Sequence, residues 1–319
     1  MCAFAESGER VRVLIRDGSK ARWFPDEQVV VADMFDRESV RRAVRGIDTV
    51  VHVPPRVYPR PGSSLDLAMH RRAHVESTRL LLDAAVAAGV GRVVLVSSAH
   101  ATGRDPGRVL CELDPAPPRT PYAQAKLEAE ELTLSYAERY DIHAVVLRPV
   151  SIYGPNDKSV VSSLVRAARK GLWLPLKGLS SLHSLVFVET VARAGIALLK
   201  ATGRGARPGV FIVTDGKDYS PSELYAAVCR ALGESVRLFY LPPAGLRVLA
   251  FIGMRARAVP GLVGLGLLQH LMTSQRYCVH LFRETVPDFA FVGLDQAIRK
   301  AFASTGHLGD DCAGFGPPR

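Results

Sequence analysis

Tyr122 and Lys126 lie four residues apart in the segment Tyr-Ala-Gln-Ala-Lys. Residues at this spacing share one face of a helix, so the lysine ammonium can lie near the phenol and favour its ionised form. An unperturbed phenol titrates near pH ~10, which is too high for efficient proton exchange at neutral pH. The pair therefore predicts an acid/base tyrosine. Ser98, twenty-four residues upstream, could hydrogen-bond the reacting oxygen.

A tyrosine four residues before a lysine also occurs by chance, usually on a solvated helix face. The surroundings of this pair favour the catalytic interpretation. Ser98 follows the apolar run 93–96, and Pro121 opens a helix rich in Ala, Glu and Leu. Both polar positions therefore fall at the ends of elements, where sites are commonly built.

Composition limits the kind of protein. With 319 residues, 48% hydrophobic and 23% charged, the chain can bury one large core or two modest ones. Its formal charge of +10 suits an anionic ligand such as a nucleotide, whereas the spread of its basic residues argues against nucleic acid. No signal peptide or transmembrane segment is expected. Five scattered cysteines argue against a disulfide framework and a metal site, and favour a reducing, cytoplasmic compartment.

Apolar, β-rich segments alternate with helical ones from the start of the chain, which predicts a parallel sheet covered by helices on both faces. Strands are expected at 11–15, 29–32, 49–53, 93–96, 144–147 and 210–213. Helices are expected from Asp36 to before Gly46, over about 75–88, and from Tyr122 to about Tyr140. Short, continuously apolar strands are typical of parallel sheets.

After Pro149 the regular alternation stops. We therefore expect a sheet-based domain at 1–150 on which 185–215 also packs, a smaller and mostly helical part formed by 151–184 and 216–308, and a flexible tail at 309–319. Ser220-Pro-Ser-Glu223 predicts a capping box at the start of a helix.

Together these residues resemble the extended short-chain dehydrogenase/reductases of the NAD-dependent epimerase/dehydratase type. The likeness rests on Ser98, Tyr122 and Lys126, on Asp33, and on segments 148–155 and 184–192 in this order. Segments 174–178 and 213–220 look most like bacterial nucleotide-sugar 4-epimerases and the related sugar 4-dehydrogenases or reductases. The resemblance implies a doubly wound parallel, Rossmann-like sheet with a smaller C-terminal substrate domain.

The resemblance also implies roles for individual residues. Tyr122 would be the acid/base, Lys126 would lower its pKa and hold the nicotinamide ribose, and Ser98 would bind the reacting oxygen. The cofactor, NAD or NADP, would contact Arg16, Asp33, Met34, Val53, Pro54, Tyr122, Lys126, Arg148 and Pro149. The substrate would contact Ser98, Ser151 and His183. Arg16 favours NADP, because a guanidinium suits a 2′-phosphate. A homodimer through the Tyr122 helix is common in such enzymes.

The chain departs from the family pattern before Val11, where neither a first strand nor a glycine-rich loop is present, and Met1–Gly8 resembles the second half of the helix that follows that loop. That loop would bind the cofactor pyrophosphate through its backbone N–H groups. The absent strand would lie between the strands at 11–15 and 49–53. We therefore expect either an incomplete sequence, with a gap in the sheet, or a sheet that closes differently.

Smaller departures concern side chains at the predicted site. Pro54-Pro55 replaces two small alanines, Thr102 an aromatic residue, and His74 a common asparagine. His183 stands where related enzymes carry an arginine for the diphosphate, and a histidine is a weaker, pH-dependent partner. Each isolated histidine is interpreted as structural rather than catalytic.

Three functions are compatible with these observations. The leading hypothesis is hydride and proton transfer at C4 of a nucleotide sugar. An alternative is a hydroxysteroid or dihydroflavonol-type reductase, favoured by Arg16, His183 and the apolar region 241–271. The third is a non-catalytic remnant that keeps the triad but does not hold a cofactor.

Overall fold

The computed structural model describes residues 8–16, 18, 28–54, 66–105, 107–114, 117–155, 157, 159–202, 209–242, 244–246, 248, 268 and 270–302. The predictions for the first seven residues and for the tail at 309–319 lie outside this part of the chain. Among the residues described, no helix is long and apolar enough to cross a membrane.

The elements alternate along the chain much as predicted. The strands are β1 (Val13–Ile15), β2 (Val29–Val31), β3 (Thr49–His52), β4 (Arg92–Val96), β5 (Val109–Leu110), β6 (His143–Pro149), β7 (Ser151–Tyr153), β8 (Leu174–Lys177), β9 (His183–Phe187), β10 (Gly209–Val213), β11 (Asp218–Tyr219), β12 (Leu238–Tyr240) and β13 (Arg276–Tyr277). The α-helices are α1 (Arg37–Val44), α2 (Leu67–Arg71), α3 (Ser77–Ala87), α4 (Pro121–Tyr140), α5 (Val160–Arg169), α6 (Val188–Thr202), α7 (Pro221–Leu232), α8 (His280–Thr285) and α9 (Leu294–Phe302).

The central sheet has four parallel strands in the order β10, β6, β4, β3. Successive side chains of a strand point to opposite faces of the sheet, so alternate residues pack on each face. Val94 and Leu147 pack on one face in a core that includes Leu198 of α6. Val93 packs on the other face with α1 and α3, and Leu95 packs with Ala129 of α4. Helices therefore cover both faces, which confirms the predicted doubly wound parallel sheet.

The sheet is interrupted at β3. Among the described residues, β1 pairs in parallel with β2, and this pair is not hydrogen-bonded to the four-stranded sheet. Within the described part of the chain, the strands expected at 11–15 and 49–53 therefore do not pair with each other. On these separate pieces of sheet, Val31, Val51 and Val53 are exposed.

A second core lies in the C-terminal half. It joins Tyr153 and Phe187 to the apolar faces of α5, α7 and α9. The predicted capping box starts α7: the Ser220 hydroxyl accepts the Glu223 N–H, and the Glu223 carboxylate accepts the Ser220 N–H. Short strands at β7, β9 and β11 form a separate three-stranded sheet beside this core.

The helix expected over about 75–88 starts earlier than predicted. Asp66 caps α2 by accepting the Met69 N–H at 2.8 Å. The chain then continues through a π-helical turn at Arg72–Glu76 into α3. A π-turn inserts one residue into the helical register, so the apolar spacing on either side of it is out of phase and the first turns are missed by a periodicity search.

Candidate functional site

Two local motifs position the predicted serine and tyrosine. Ser98 follows the buried strand β4 and caps a 3₁₀ turn at Ala99–Thr102, where its hydroxyl accepts the His100 N–H at 3.2 Å. Thr120 caps α4 by accepting the Ala123 N–H at 3.1 Å, with proline at the first helical position. The 3₁₀ turn and α4 both begin at the edge of the sheet formed by the carboxyl ends of its strands, where parallel α/β folds build their sites.

Lys126 lies one turn after Tyr122 on the buried face of α4. Its Nζ is 5.9 Å from the centroid of the Tyr122 ring and donates to the Val96 carbonyl at 3.0 Å. The side chain is only 5% exposed. Burial lowers the pKa of Lys126 to about 8, and the nearby Glu130 carboxylate partly opposes this effect. The structure therefore brings the predicted tyrosine and lysine together on the buried face of α4.

Three histidine rings surround the Tyr122 ring. The ring centroids of His70, His74 and His100 lie 5.7, 5.4 and 6.2 Å from that of Tyr122, each in an edge-on arrangement. His70 and His74 are buried and stack on each other at 5.8 Å. Among the described residues, His74 has no hydrogen-bond partner at either ring nitrogen, and His70 has none at Nδ1. With His52, these residues are called the histidine cluster below.

The histidine cluster is held neutral by its surroundings. Burial, followed by the charge of Lys126, lowers the pKa of His52 and of His74 to about 3. Burial also lowers the pKa of His70 and His100. His52 shares a hydrogen bond of 3.1 Å between its Nε2 and Thr78 Oγ1. Because these histidines stay neutral at pH 7, they add no positive charge beside the Lys126 ammonium and Tyr122.

The histidine cluster predicts acid-sensitive folding. Between pH 6.5 and 3 the unfolded chain protonates His52 and His74 while the native state does not, so the free energy of unfolding falls as pH decreases through this window. We expect a loss of up to about 2 kcal/mol per histidine between pH 6.5 and 5. Urea unfolding of His74→Asn at both pH values should show a smaller loss than wild type.

A control separates this effect from general histidine titration. His280 is exposed and lies 3.4 Å from Glu284, so His280→Asn should leave the difference in unfolding free energy between the two pH values nearly unchanged. An equal change in His74→Asn and His280→Asn would contradict the assignment of acid sensitivity to the cluster.

A buried ion pair between Glu130 and Arg148 lies next to the predicted site residues. Glu130, 1% exposed and one turn after Lys126, accepts from Arg148 Nη2 at 2.6 Å and from Nε at 3.0 and 3.1 Å. Arg148 Nη1 donates to Thr102 Oγ1 at 3.1 Å and to the Glu112 carbonyl at 2.8 Å. Ser97 also donates to Glu130. The ion pair thus connects α4 to the turn that follows Ser98.

The Arg148 guanidinium is hydrogen-bonded to other groups of the protein. All three of its nitrogens donate to the partners just named, so the predicted contact of Arg148 and Pro149 with a cofactor stays a prediction. Glu130 was not among the predicted residues. The sequence could have indicated Glu130 by its position four residues after Lys126 and eight after Tyr122, because positions i, i+4 and i+8 lie on one helix face.

The other predicted cofactor residues lie at strand ends. Val53 is 67% exposed and Pro54 is buried, directly after β3, whose pairing with β4 brings this end of the strand beside Ser97. Arg16 and Asp33 are exposed after β1 and β2, on the far side of the interruption in the sheet. Met34 is half-buried against the core formed with α1 and α3. Their roles with a cofactor stay predictions.

The predicted substrate residues separate into two environments. Ser151 is exposed at the start of β7. His183 is buried within β9, and its Nε2 lies 3.3 Å from both Ser181 Oγ and the Leu271 carbonyl. Burial lowers the pKa of His183, so its ring is neutral at pH 7. A neutral ring that already has partners is poorly suited to bind a diphosphate by charge.

Arg104 is a positively charged residue that the sequence reasoning missed. It is half-buried, contacts the side-chain amide of Gln275, and its charge contributes to lowering the pKa values of both His100 and His183. Arg104 is therefore close enough to influence both His100, which contacts the Tyr122 ring, and the predicted substrate residue His183. The sequence indicates this residue only weakly, because an arginine after Thr-Gly resembles any solvated surface residue.

Among curated proteins, the chain is similar to both a steroid and a sugar enzyme. It is 30% identical to 3beta-hydroxysteroid-dehydrogenase/decarboxylase isoform 2 of Arabidopsis thaliana over 184 residues, which are 56% of this chain and 32% of that protein. It is 27% identical to UDP-glucose 4-epimerase of Vibrio cholerae over 209 residues, 63% of this chain and 62% of that protein. The matches therefore span between about a third and two thirds of these curated relatives.

The fold is also that of solved sugar-nucleotide enzymes. The crystal structure of UDP-glucuronic acid 4-epimerase from Bacillus cereus in complex with NAD superposes with a TM-score of 0.64 at 16% identity, over 86% of this chain and 79% of that chain. Residues 2–214 match the NAD dependent epimerase/dehydratase family, a stretch that includes the whole parallel sheet, Ser98, Tyr122 and Lys126. With this match over two thirds of its length, the chain belongs to that family, as its sequence predicts.

Proposed function

We propose that this protein is an NAD(P)-dependent oxidoreductase or epimerase that exchanges a proton with a nucleotide-sugar hydroxyl through Tyr122. The observation that carries the proposal is the buried Lys126 ammonium 5.9 Å from the Tyr122 ring, at the carboxyl end of a parallel sheet. A positive charge there favours the ionised phenol, which is the form that accepts a proton. The Ser98 hydroxyl, at the adjacent strand end, is proposed to hydrogen-bond the reacting oxygen.

The described residues fit the nicotinamide end of a dinucleotide. A buried ammonium has three N–H groups and Lys126 directs one to Val96, so two can bind the hydroxyls of a ribose. His70 and His74 also have buried ring nitrogens without partners among the described residues, and these suit a polar ligand. When bound, the nicotinamide cofactor accepts or returns the hydride.

The remaining cofactor contacts are proposed from their positions. Val53 and Pro54 would lie against the nicotinamide half beside β4, and Asp33 and Met34 would flank the adenine. Arg16, exposed after β1, would meet a 2′-phosphate, which is the reason to prefer NADP to NAD. Calorimetry with NADPH and NADH on the chain tests both points: micromolar binding of either would reject the hypothesis of a remnant unable to hold cofactor.

An anionic substrate is supported by charge. The chain has a formal charge of +10, and the half-buried Arg104 guanidinium acts electrostatically on both His100, which contacts Tyr122, and His183. Guanidinium groups bind phosphate oxygens with charge-assisted hydrogen bonds. We propose that Arg104 binds the diphosphate of a UDP-sugar, with the substrate-binding part formed by 151–184 and 216–308. The relative from Vibrio cholerae is a UDP-glucose 4-epimerase.

A substrate assay tests this proposal. With a UDP-sugar panel and both cofactors, we expect turnover whose KM rises about 10- to 100-fold in Arg104→Gln, the cost of losing a charged hydrogen bond to the substrate. Arg108→Gln is the matched control, because Arg108 is exposed and pairs with Asp114 at 2.8 Å. Absence of turnover with any nucleotide sugar in a cofactor-binding preparation would contradict the proposal.

The second candidate is reduction of an apolar ketone by the same Tyr122 chemistry. It is favoured by the neutral, buried His183 and by the similarity to the Arabidopsis thaliana hydroxysteroid dehydrogenase. A steroid ketone carries no diphosphate, so the Arg104→Gln substitution would then leave its KM unchanged. The two functions are therefore distinguished by the same pair of variants assayed with both substrate classes. Dimerisation through α4 stays a prediction for either.

A further inference from the structure

Two cysteines far apart in the sequence meet at neighbouring strand ends. Cys111 follows β5 and Cys278 follows β13, and these strands pair in parallel with Val109 opposite Arg276 and Leu110 opposite Tyr277. The Cys278 N–H donates to the Leu110 carbonyl at 2.8 Å. In parallel strands, a residue donates its N–H to the carbonyl of the residue that precedes its partner on the neighbouring strand. The register therefore continues to the pair Cys111 and Cys278.

This register suits a covalent bond between the two thiols. Parallel neighbouring strands lie ~4.8 Å apart, which is within the ~4.4–6.8 Å separation of Cα atoms found in disulfides. The two side chains contact each other, and each is half-buried. Sequence spacing did not indicate this pair, because its members lie 167 positions apart.

We propose that Cys111 and Cys278 form a redox-modification site, closed to a disulfide by a small-molecule disulfide such as oxidised glutathione. Both sulfurs are thiols in the present structure. The inference is independent of the substrate and of the cofactor.

The two thiols have different roles in the exchange. The Cys278 sulfur accepts the His280 N–H at 3.4 Å, which fixes its position at the end of β13. Burial, together with the Cys278 side chain and the charge of Asp114, raises the pKa of Cys111 to about 12. Cys278 is therefore the attacking thiol and Cys111 the resolving one, since the thiolate is the nucleophile in exchange.

The exchange balances without a further reactant. The Cys278 thiolate attacks one sulfur of the small disulfide, forms a mixed disulfide and releases one small thiolate. Cys111 then attacks the Cys278 sulfur, which breaks the mixed bond and releases the second small thiolate. The protons of the two cysteines end on the two released thiols. The protein pair is oxidised by two electrons, and the small disulfide is reduced by two.

The bond would lie directly beside the turn that positions the candidate active site. Tyr277 donates from its hydroxyl to the Gly103 carbonyl at 3.1 Å, and the Glu112 carbonyl accepts from Arg148. Each cysteine is therefore adjacent to a residue that holds the turn after Ser98 or the buried ion pair. A disulfide across so long a loop restricts the unfolded chain strongly.

Peptide mapping of the full chain after equilibration with oxidised glutathione tests the proposal. We expect a peptide pair joined through Cys111 and Cys278, loss of two hydrogen atoms in the intact mass, and a Tm higher by about 5 °C or more than in the reduced protein. Cys111→Ser should instead retain one glutathione on Cys278. Cys229→Ala is the control, because Cys229 is buried in the second core and its loss should leave the crosslink intact.

Two results would overturn the inference. One is a protein that keeps both cysteines as free thiols, or as separate mixed disulfides, under conditions that oxidise a model dithiol. The other is a bridge that joins either cysteine to a different partner. Because the mapping uses the wild-type chain, neither result depends on the folding of a variant.

Discussion

Replacing Tyr122 by phenylalanine is expected to lower kcat for nicotinamide-dependent turnover by about 10²- to 10⁴-fold, the usual contribution of a positioned acid or base. The substitution removes the hydroxyl and keeps the ring that packs against His70, His74 and His100. The ring packing around this position should therefore be kept. The measurement is steady-state turnover of the best UDP-sugar or ketone, together with cofactor titration by calorimetry.

Tyr136→Phe is the matched control for this variant. Tyr136 lies on the same helix, and its hydroxyl donates to Asp83 at 2.6 Å in an exposed position. Loss of that hydroxyl should leave kcat within about twofold of wild type, because a single exposed hydrogen bond contributes little. If both variants kept wild-type turnover, Tyr122 would not be the acid/base and the proposed chemistry would be wrong.

The sequence predicted those features of the fold that local pattern determines. Apolar runs of four to five residues identified the strands of the central sheet, and Pro121 after Thr120 marked the start of α4. The capping box at Ser220 was confirmed because its two hydrogen bonds depend on residues only three apart. Each of these signals lies within one element, so no tertiary information was required.

Other features depend on contacts between distant elements. The histidine cluster forms because α2, the π-turn at 72–76 and the 3₁₀ turn at 99–102 pack on α4, while the end of β3 brings His52 to Thr78 of α3. Each histidine taken alone was interpreted as structural, and nothing in its own neighbourhood indicated the others. The same holds for Arg104 near His183 and for Cys111 opposite Cys278, since register between strands is set by the whole fold.

The histidine cluster also bears on how Tyr122 would work. Neutral rings around a phenol exclude water without adding charge, so the field of Lys126 is screened less than it would be in water. Protonation of the cluster would add positive charge beside the ammonium, and burial opposes this by keeping the pKa values of His52 and His74 at about 3. The neutral cluster therefore adds no further cation beside Lys126 and the tyrosine at neutral pH.

The largest stability loss is expected from breaking the ion pair between Glu130 and Arg148. The pair is buried, with side chains 1% and 8% exposed, and its nitrogens also hold Thr102 and Glu112. Arg148→Met would leave the Glu130 carboxylate uncompensated, which costs about 3–5 kcal/mol and would lower Tm by roughly 10 °C. Thermal unfolding followed by circular dichroism measures this, with Arg230→Met as the control in the exposed pair with Asp295, expected to lose at most about 1 kcal/mol.

A double variant separates the cost of an unpaired charge from the worth of the pair. Glu130→Leu with Arg148→Met removes both charges, so it should recover much of the stability lost in Arg148→Met alone, since apolar replacements of buried pairs are often nearly neutral. Its turnover should nevertheless stay below wild type, because the turn after Ser98 loses its link to α4. A double variant as unstable as the single one would instead assign the loss to the contacts of Arg148 with Thr102 and Glu112.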